Sequence, residues 1–581
     1  MAILGIDVGG TFTDAVLLLD GELRTAKVPT VRAQEGSVVE AATAVGAADP
    51  GVERFTHGTT IATNALLERK GARTAFVGTA GFEHLLHLRR QTRAHLYRLC
   101  DSHPEPLVPL ERCFGVRERV GPAGVLERLD LDSLPQIDAE AVAICLLFSF
   151  REPTHERLVS EELRRRLPEA HVVASHEVAP EFREYERAST TTVDAYLGPA
   201  LSGYLSSLAD RCREAGLAEP LVMRSSGGVC TLAEAARHPS LALVSGPAAG
   251  VVGAARIAAL AGEENAISFD MGGTSTDVCL IAGGGVERTG EREVGGFPIR
   301  LPTVDLQTVG AGGGSVVWQD SGGAVRVGPH SAGADPGPAC YGRGGLEPTV
   351  TDANLLLGRL PDTLAGGLEL DRAAAERALG ALDAEAVVAA VNAEMLRALR
   401  IVSVERGHDP RDFALVAFGG AGPLHACELA DELGIRKVLV PAAAGVLSAL
   451  GLVASEERRD RVRSYVIPFA EADSLPSEGD VDLRYQGQSF ELTVPLEGDP
   501  VESFHRAHEE RYGYADRDRQ VELVAVRTAE VVPSPELDLR GGEPLAVRGP
   551  ALIELEGATC WAPPGWVGAR DGNSTLILTK V

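Results

Sequence analysis

Residues 5–18 read "GIDVGGTFTDAVLL", and residues 268–281 read "SFDMGGTSTDVCLI". The copies agree at Asp7/Asp270, Gly9/Gly272, Gly10/Gly273, Thr11/Thr274, Thr13/Thr276 and Asp14/Asp277. An apolar, strand-like run leads into each Gly-Gly pair, and another leads out. Each copy therefore predicts a β-hairpin with a glycine-rich turn rather than a strand feeding a helix. In dinucleotide folds and Walker loops a phosphate rests on a helix N-terminus. Here the turn itself is the expected cradle, with backbone N–H groups and threonine hydroxyls directed at phosphate oxygens. Glycine lets the backbone approach closely and take positive φ.

Two such hairpins, one in each of two α/β halves, predict a nucleotide held between facing lobes. The adenosine turn should then come late in the second half. Residues 414–441, "ALVAFGGAGPLHACELADELGIRKVLVP", read as strand, Gly-Gly-Ala-Gly turn, helix and strand. Gly419, Gly420 and Gly422 would approach a ribose or adenine. This arrangement resembles the two-lobed actin, sugar-kinase and heat-shock-chaperone ATPases.

Outward from these stretches, short apolar strands alternate with amphipathic helices, as in α/β layers. Residues 73–82, 141–150 and 171–178 read as strands, 154–167 as a helix capped by Thr154, and 182–216 as a long helical link. Residues 381–407 predict a long helix ended by Gly407. After about residue 460 the pattern changes to alternating strands with Pro-Gly turns. The expected division is 1–180 for the first lobe, 181–459 for the second, and 460–581 for a separate β-rich C-terminal domain.

A chain of 581 residues suggests three to five folding units at roughly 100–200 residues each. The net charge of −27 argues against nucleic acid, which needs clustered Lys and Arg, and against an anionic membrane surface. Nine cysteines (Cys100, Cys113, Cys145, Cys212, Cys230, Cys279, Cys340, Cys427 and Cys560) are scattered without a Cys-x-x-Cys pair. They read as reduced thiols of a cytoplasmic protein. The N-terminus carries no signal-peptide pattern, and no apolar run is long enough to cross a bilayer.

Longer stretches carry a family resemblance. "HGTTIATNALLERKGARTAFVGTAGFEHLL" (57–86), "SGPAAGVVGA" (245–254), "VGAGGGSVVW" (309–318), "SAGADPGPACYGRGGLEPTVTDANLLLGRL" (331–360) and "FGGAGPLHACELADELGI" (418–435) are similar to the hydantoinase A / 5-oxoprolinase family. With both hairpins and the C-terminal "RYQGQSFELTVPL", the resemblance covers nearly the whole chain. It implies ATP-dependent ring opening of a cyclic amide such as hydantoin, N-methylhydantoin or 5-oxoproline by an A-type subunit, with a B-type subunit expected as a separate chain. The alternatives are the ATP-hydrolysing subunit of an acetone- or acetophenone-type carboxylase, or a nucleotide-gated regulatory binder.

The residues divide accordingly. Asp7 and Asp270 precede the turns and are the candidates to hold Mg²⁺ through water, with turn capping as the rival role. Thr11, Thr13, Thr274 and Thr276 are expected phosphate donors beside Gly9, Gly10, Gly272 and Gly273. Asp14 and Asp277 either join them or fix the turn. Residues 57–69 read as a loop turning into a helix, where Thr59 on its own pattern is a cap. The resemblance instead sets His57, Thr59 and Thr60 near the reacting phosphate. The glycine run 310–315 reads as a flexible hinge or substrate loop. Cys340 reads as an inert buried thiol sooner than a nucleophile. The pairs His84/His87 and His505/His508 have helical spacing but lack further metal ligands, so they read as packed or solvated.

Overall fold

The computed structural model describes residues 2–47, 51–98, 102–364, 367–537, 539 and 543–581. Both hairpins form, in matching register. Strand β1 (Ala2–Val8) pairs antiparallel with β2 (Phe12–Leu19), Asp7 opposite Asp14 and Val8 opposite Thr13, and β3 (Glu22–Pro29) follows beyond β2. The turn is closed by the Gly9 N–H donating to the Phe12 carbonyl at 2.9 Å. In the second lobe β5 (Ala266–Met271) pairs with β6 (Thr276–Ala282), Asp270 opposite Asp277 and Met271 opposite Thr276. The Gly272 N–H donates to the Ser275 carbonyl at 3.0 Å.

The repeat extends beyond the hairpin. Parallel to β1 runs β4 (Arg54–Thr59), which feeds helix α1 (Ile61–Leu67). Parallel to β5 runs β7 (Ala414–Phe418), which feeds α4 (Gly422–Leu433) and then β8 (Lys437–Val440). Thus "HGTT" and "FGGA" end equivalent strands, although the sequences differ.

Helix α2 (Glu184–Glu214) runs for 31 residues and accommodates Pro199. Helix α3 (Ser245–Leu260) precedes the second hairpin and packs on α5 (Leu447–Val453). Glycine permits that approach: a Cβ on Gly451 would lie 1.8 Å from the Ala249 carbonyl oxygen. On the other side of α5, a Cβ on Gly5 would lie 2.3 Å from the Ala449 carbonyl oxygen. Helix α5 therefore sits between α3 and β1, and the apolar core of the second lobe includes Ile3, Val16 and Leu18 of the first.

The expected lobe boundaries need correction. The first sheet has ten strands. Beyond β4 come Leu221–Met223 and Val229–Cys230, then Glu457–Pro468, Val521–Val532, Asp480–Tyr485 and Leu492–Pro495. Leu576–Lys580 and its neighbours extend the second sheet beyond β8. The residues after 460 are β-rich, as expected, but they are shared between both lobes rather than set apart. The boundary at 180 also cuts the first lobe, whose sheet runs on to Cys230. Residues Thr74–Ala174 carry a separate five-stranded sheet. The Thr154 cap is absent: Pro153 occupies the cap position of helix Thr154–Arg166. No helix among the described residues is long and apolar enough to cross a membrane.

Candidate functional site

The register that opposes Asp7 to Asp14 and Asp270 to Asp277 gathers four carboxylates at the lobe junction. Burial pushes Asp7 up to about 7, the Asp14 charge adds to this, and Lys27 opposes it. Burial likewise raises Asp270 to about 8, reinforced by Asp277, Asp7 and Asp14. The first hairpin thus acts electrostatically on the second. Asp14 is engaged by Lys27 at 2.5 Å, and Asp277 accepts from the Thr308 hydroxyl at 2.5 Å. Asp7 has an oxygen buried without a hydrogen-bond partner. Among the described residues no set of three or more His, Cys, Asp or Glu stands ready to hold a metal. One or two carboxylates with water and phosphate oxygens are the usual Mg²⁺ ligands, and Asp7 and Asp270 fit that donor set.

The turn tips Gly10, Thr11, Gly273 and Thr274 are exposed, while Gly9 and Gly272 are half-buried. The expectation for Thr13 and Thr276 is revised, because both are buried. Thr13 shares a 3.0 Å hydrogen bond with Thr30, whose hydroxyl also lies 3.0 Å from the Gly9 carbonyl it donates to. Thr276 donates to the Ala311 carbonyl at 2.6 Å. Alternation along the strand explains this: with Asp14 and Asp277 toward the junction, the preceding threonines face the core.

The glycine run 310–315 is likewise not a loose loop. Gly313 and Gly314 donate to the carbonyls of Gly272 and Gly273 at 3.0 and 2.7 Å. A Cβ on Gly312 would lie 2.7 Å from the Gly272 oxygen. The run braces the second turn from behind.

The end of β4 differs most from expectation. His57 is fully buried, and burial lowers it to about 4, so the ring is neutral. Its Nδ1 lies 3.2 Å from the Ile6 carbonyl and its Nε2 2.9 Å from the Tyr204 hydroxyl. Facing a carbonyl, Nδ1 must carry the proton, so Tyr204 donates to Nε2. Thr59 is also buried, its hydroxyl accepting from the Ile61 N–H at 3.2 Å. His57 and Thr59 are therefore core residues that position the strand, not groups beside a phosphate. Thr60 remains available, at the start of α1, with a hydroxyl lacking a partner.

Gly58, on the opposite face of β4, is the residue that meets the carboxylates: a Cβ there would lie 2.4 Å from Asp7 Oδ1. A Cβ on Gly419 (φ +77°) would lie 2.4 Å from Asp270 Oδ1. Each glycine thus lies against the first aspartate of a hairpin, Gly58 directly opposite Asp7 in register and Gly419 one residue past Phe418, which lies opposite Asp270. Gly420 faces open space, and Gly422 begins α4 against the Phe269 carbonyl.

The start of α3 also reaches this junction, a place not expected from its sequence. The Ser245 hydroxyl donates to the Thr59 carbonyl at 2.9 Å, and a Cβ on Gly246 would lie 3.4 Å from Asp7 Oδ2. No side chain caps this 16-residue helix. The signal available in sequence was Pro247, a residue suited to a first helical turn.

Other candidates have structural roles. Cys340 is fully buried and its thiol is raised by burial, the state of an inert cysteine. His505 and His508 pack among Tyr485, Phe504 and Tyr514, with His505 on the Tyr485 hydroxyl at 2.7 Å. His87 lies 3.1 Å from the Val108 carbonyl. Cys100 falls outside the described residues.

Known proteins share this arrangement. Residues 3–167 match the Hydantoinase/oxoprolinase N-terminal region and residues 187–461 match Hydantoinase/oxoprolinase. The chain is 32% identical to caprolactamase subunit alpha of Pseudomonas jessenii over 99% of both chains. It is 36% identical to the acetophenone carboxylase gamma subunit of Aromatoleum aromaticum, over 77% of this chain and 67% of that one. The crystal structure of ATP-dependent caprolactamase from Pseudomonas jessenii superposes with a TM-score of 0.88 at 30% identity, over 100% of both chains. With its doubled hairpin, its two lobes and relatives matched end to end, the chain belongs to the hydantoinase/oxoprolinase family.

Proposed function

We propose that the chain is the ATP-binding, A-type subunit of an enzyme that opens a cyclic amide at the expense of ATP. The observation that carries this reading is the pair of hairpins in matching register, with exposed Gly-Thr tips and Asp7 and Asp270 at one junction. An amide carbonyl resists water because nitrogen donates into it. Moving a phosphoryl group to the carbonyl oxygen makes a leaving group and an electrophilic carbon. That transfer needs placement and charge neutralisation more than covalent help. The N–H groups of both turns and the hydroxyls of Thr11, Thr274 and Thr60 orient the phosphates. Gly419 and Gly420 leave room for the nucleoside. Asp7 and Asp270 would hold Mg²⁺, and the ion when bound would neutralise phosphate charge.

Finishing the hydrolysis needs an attacking site, and no metal cluster exists among the described residues. A B-type chain supplying that site is part of the proposal, and the subunit names of the relatives support it. The test is to assay the chain alone and with a B-type partner, measuring phosphate release and ring-opened product. Coupled release only in the complex is expected with hydantoin, 5-oxoproline or a larger lactam. Ring opening by the chain alone, one ATP per product, overturns the divided roles. The likeness to the acetophenone carboxylase subunit supports a second reading, which bicarbonate consumption in the same assay would establish.

A further inference from the structure

The doubled motif is symmetric along its hairpins and asymmetric beside them. In the first lobe β3 runs antiparallel to the outgoing strand β2 and sets Lys27 opposite Asp14. In the second lobe the strand Leu306–Val309 stands in the same relation to β6, and the residue opposite Asp277 is Thr308. One copy therefore carries an ammonium where the other carries a hydroxyl. Arg292 donates to that hydroxyl at 3.3 Å, one group removed from Asp277. Lysine is also scarce here: Lys27, Lys70, Lys437 and Lys580 are the four in the chain, against 55 Lys and Arg together.

Lys27 lies at the lobe junction. Its Nζ is 2.5 Å from Asp14 Oδ1 and 5.2 Å from the centre of the exposed Phe12 ring beside the turn. Gly557 sits against its stem: a Cβ there would lie 3.7 Å from Lys27 Cε and 3.3 Å from the Gly445 Cα. Gly445 follows Ala444, whose carbonyl accepts from the Gly419 N–H at 2.9 Å. The stem is thus confined between the first hairpin and the second lobe. Burial raises Asp7 and Asp270, and the Lys27 charge opposes the rise at both. An ammonium has three N–H donors. Asp14 takes one, no other hydrogen bond holds Nζ among the described residues, and the side chain is 30% exposed. Two donors are left over at the junction.

We propose that Lys27 clamps the terminal phosphate of ATP and stabilises it during transfer, with Asp14 positioning the ammonium; this rests on the function proposed above. The Gly419–Gly420 turn belongs to the second lobe, so a triphosphate extends from there toward the first hairpin. Its terminal phosphate arrives at the lobe that carries the cation. In the transfer, the bond from the terminal phosphorus to the β-phosphate oxygen breaks, and that oxygen keeps the electron pair as ADP leaves. A bond forms between the phosphorus and the amide carbonyl oxygen. Lys27 gives up no proton. Its two remaining N–H groups donate to the non-bridging oxygens, over which charge is spread in transit. Lysine serves other phosphate sites as a point charge in the same way. The four carboxylates of the junction repel an incoming triphosphate, and a fixed cation offsets part of that repulsion.

The test compares ADP with a non-hydrolysable ATP analogue, by calorimetry on the full chain at millimolar Mg²⁺. The wild type should hold the analogue more tightly than ADP. Lys27→Met should weaken the analogue about tenfold or more and ADP by less than about twofold, because only the analogue presents a terminal phosphate. ATP turnover by the complex with a B-type chain should fall about a hundredfold. A lysine that only neutralises Asp14 behaves differently. Both nucleotides then weaken together, and Asp14→Asn in the Lys27→Met background restores them. Under the clamp, that double variant stays as poor for the analogue as Lys27→Met alone. It also keeps the test open should Lys27→Met fold badly, since it leaves no unpaired carboxylate. Equal losses for the two nucleotides, or recovery in the double variant, overturn the assignment. The complete enzyme separates the clamp from the proposed function. Ring opening at undiminished kcat in Lys27→Met leaves the function standing and removes the clamp. Selective loss of the analogue, with no ring opened by the wild type, does the reverse.

Discussion

At the residue scale, the two repeats separate functional from structural positions only once burial is known. Asp270→Ala should reduce ATP turnover by about a hundredfold, the usual loss for a group positioning transition-state charge. Thr276→Val should leave turnover nearly intact. It should cost about 1–3 kcal/mol of stability, because the Ala311 carbonyl loses its partner. Steady-state kinetics and thermal melts distinguish the pair, and equal turnover loss in both would return Thr276 to the phosphates. The carboxylates also set a pH dependence. Asp7 and Asp270 keep protons to about 7 and 8, whereas an unfolded aspartate releases its own near 3.9. Across this window the folded state binds more protons, so stability falls as pH rises. Buried His57 works in the opposite sense below about 6.5, where only the unfolded chain is protonated. The clean interval is therefore pH 6.5 to 8. The metal-free chain should melt at lower temperature at pH 8, and Asp7→Asn/Asp270→Asn should flatten that slope. A wild-type melting temperature that rises over this interval contradicts the assigned shifts.

At the scale of elements, the junction depends on helices that approach through glycine. Helices α3 and α5 meet where Gly451 faces the Ala249 carbonyl, and α3 begins beside Asp7. Gly451→Ala sets a methyl group against backbone, which cannot rotate away. The cost should reach or exceed the roughly 1–3 kcal/mol of an overpacked core. Because α3 also positions Gly246 at the carboxylates, nucleotide affinity should fall with stability. Calorimetry and denaturant titration of this variant test the point, and wild-type values in both would show that the helices can part at no cost.

At the scale of the molecule, both sheets are completed by the C-terminal strands. A chain ending at residue 459 would leave the strand Val229–Cys230 and β8 as open edges and remove the packing of Trp566, which is fully buried. Such a chain should be insoluble or bind no nucleotide. A soluble, ATP-binding 1–459 fragment would restore the separate-domain reading. The C-terminal strand is part of the second lobe's own sheet, since β8 is hydrogen-bonded to Leu576–Lys580.

What the sequence determined by itself is local. The hairpins, their equivalence, the strand-turn-helix of residues 414–441 and the long helix around residue 200 all follow from apolar period and turn chemistry, which neighbouring residues encode. What the tertiary structure decided is which side of each element faces inward. Strand alternation says that Thr13 and Asp14 point oppositely, but only the packed lobes say which one meets the junction. His57 became a core residue because Tyr204, 147 positions away, closes over it. Gly58 and Gly246 acquired their places because β4 and α3 converge on Asp7. The strands after residue 456 announced themselves by alternation, yet their partners are set by long-range pairing, which periodicity within a strand does not carry.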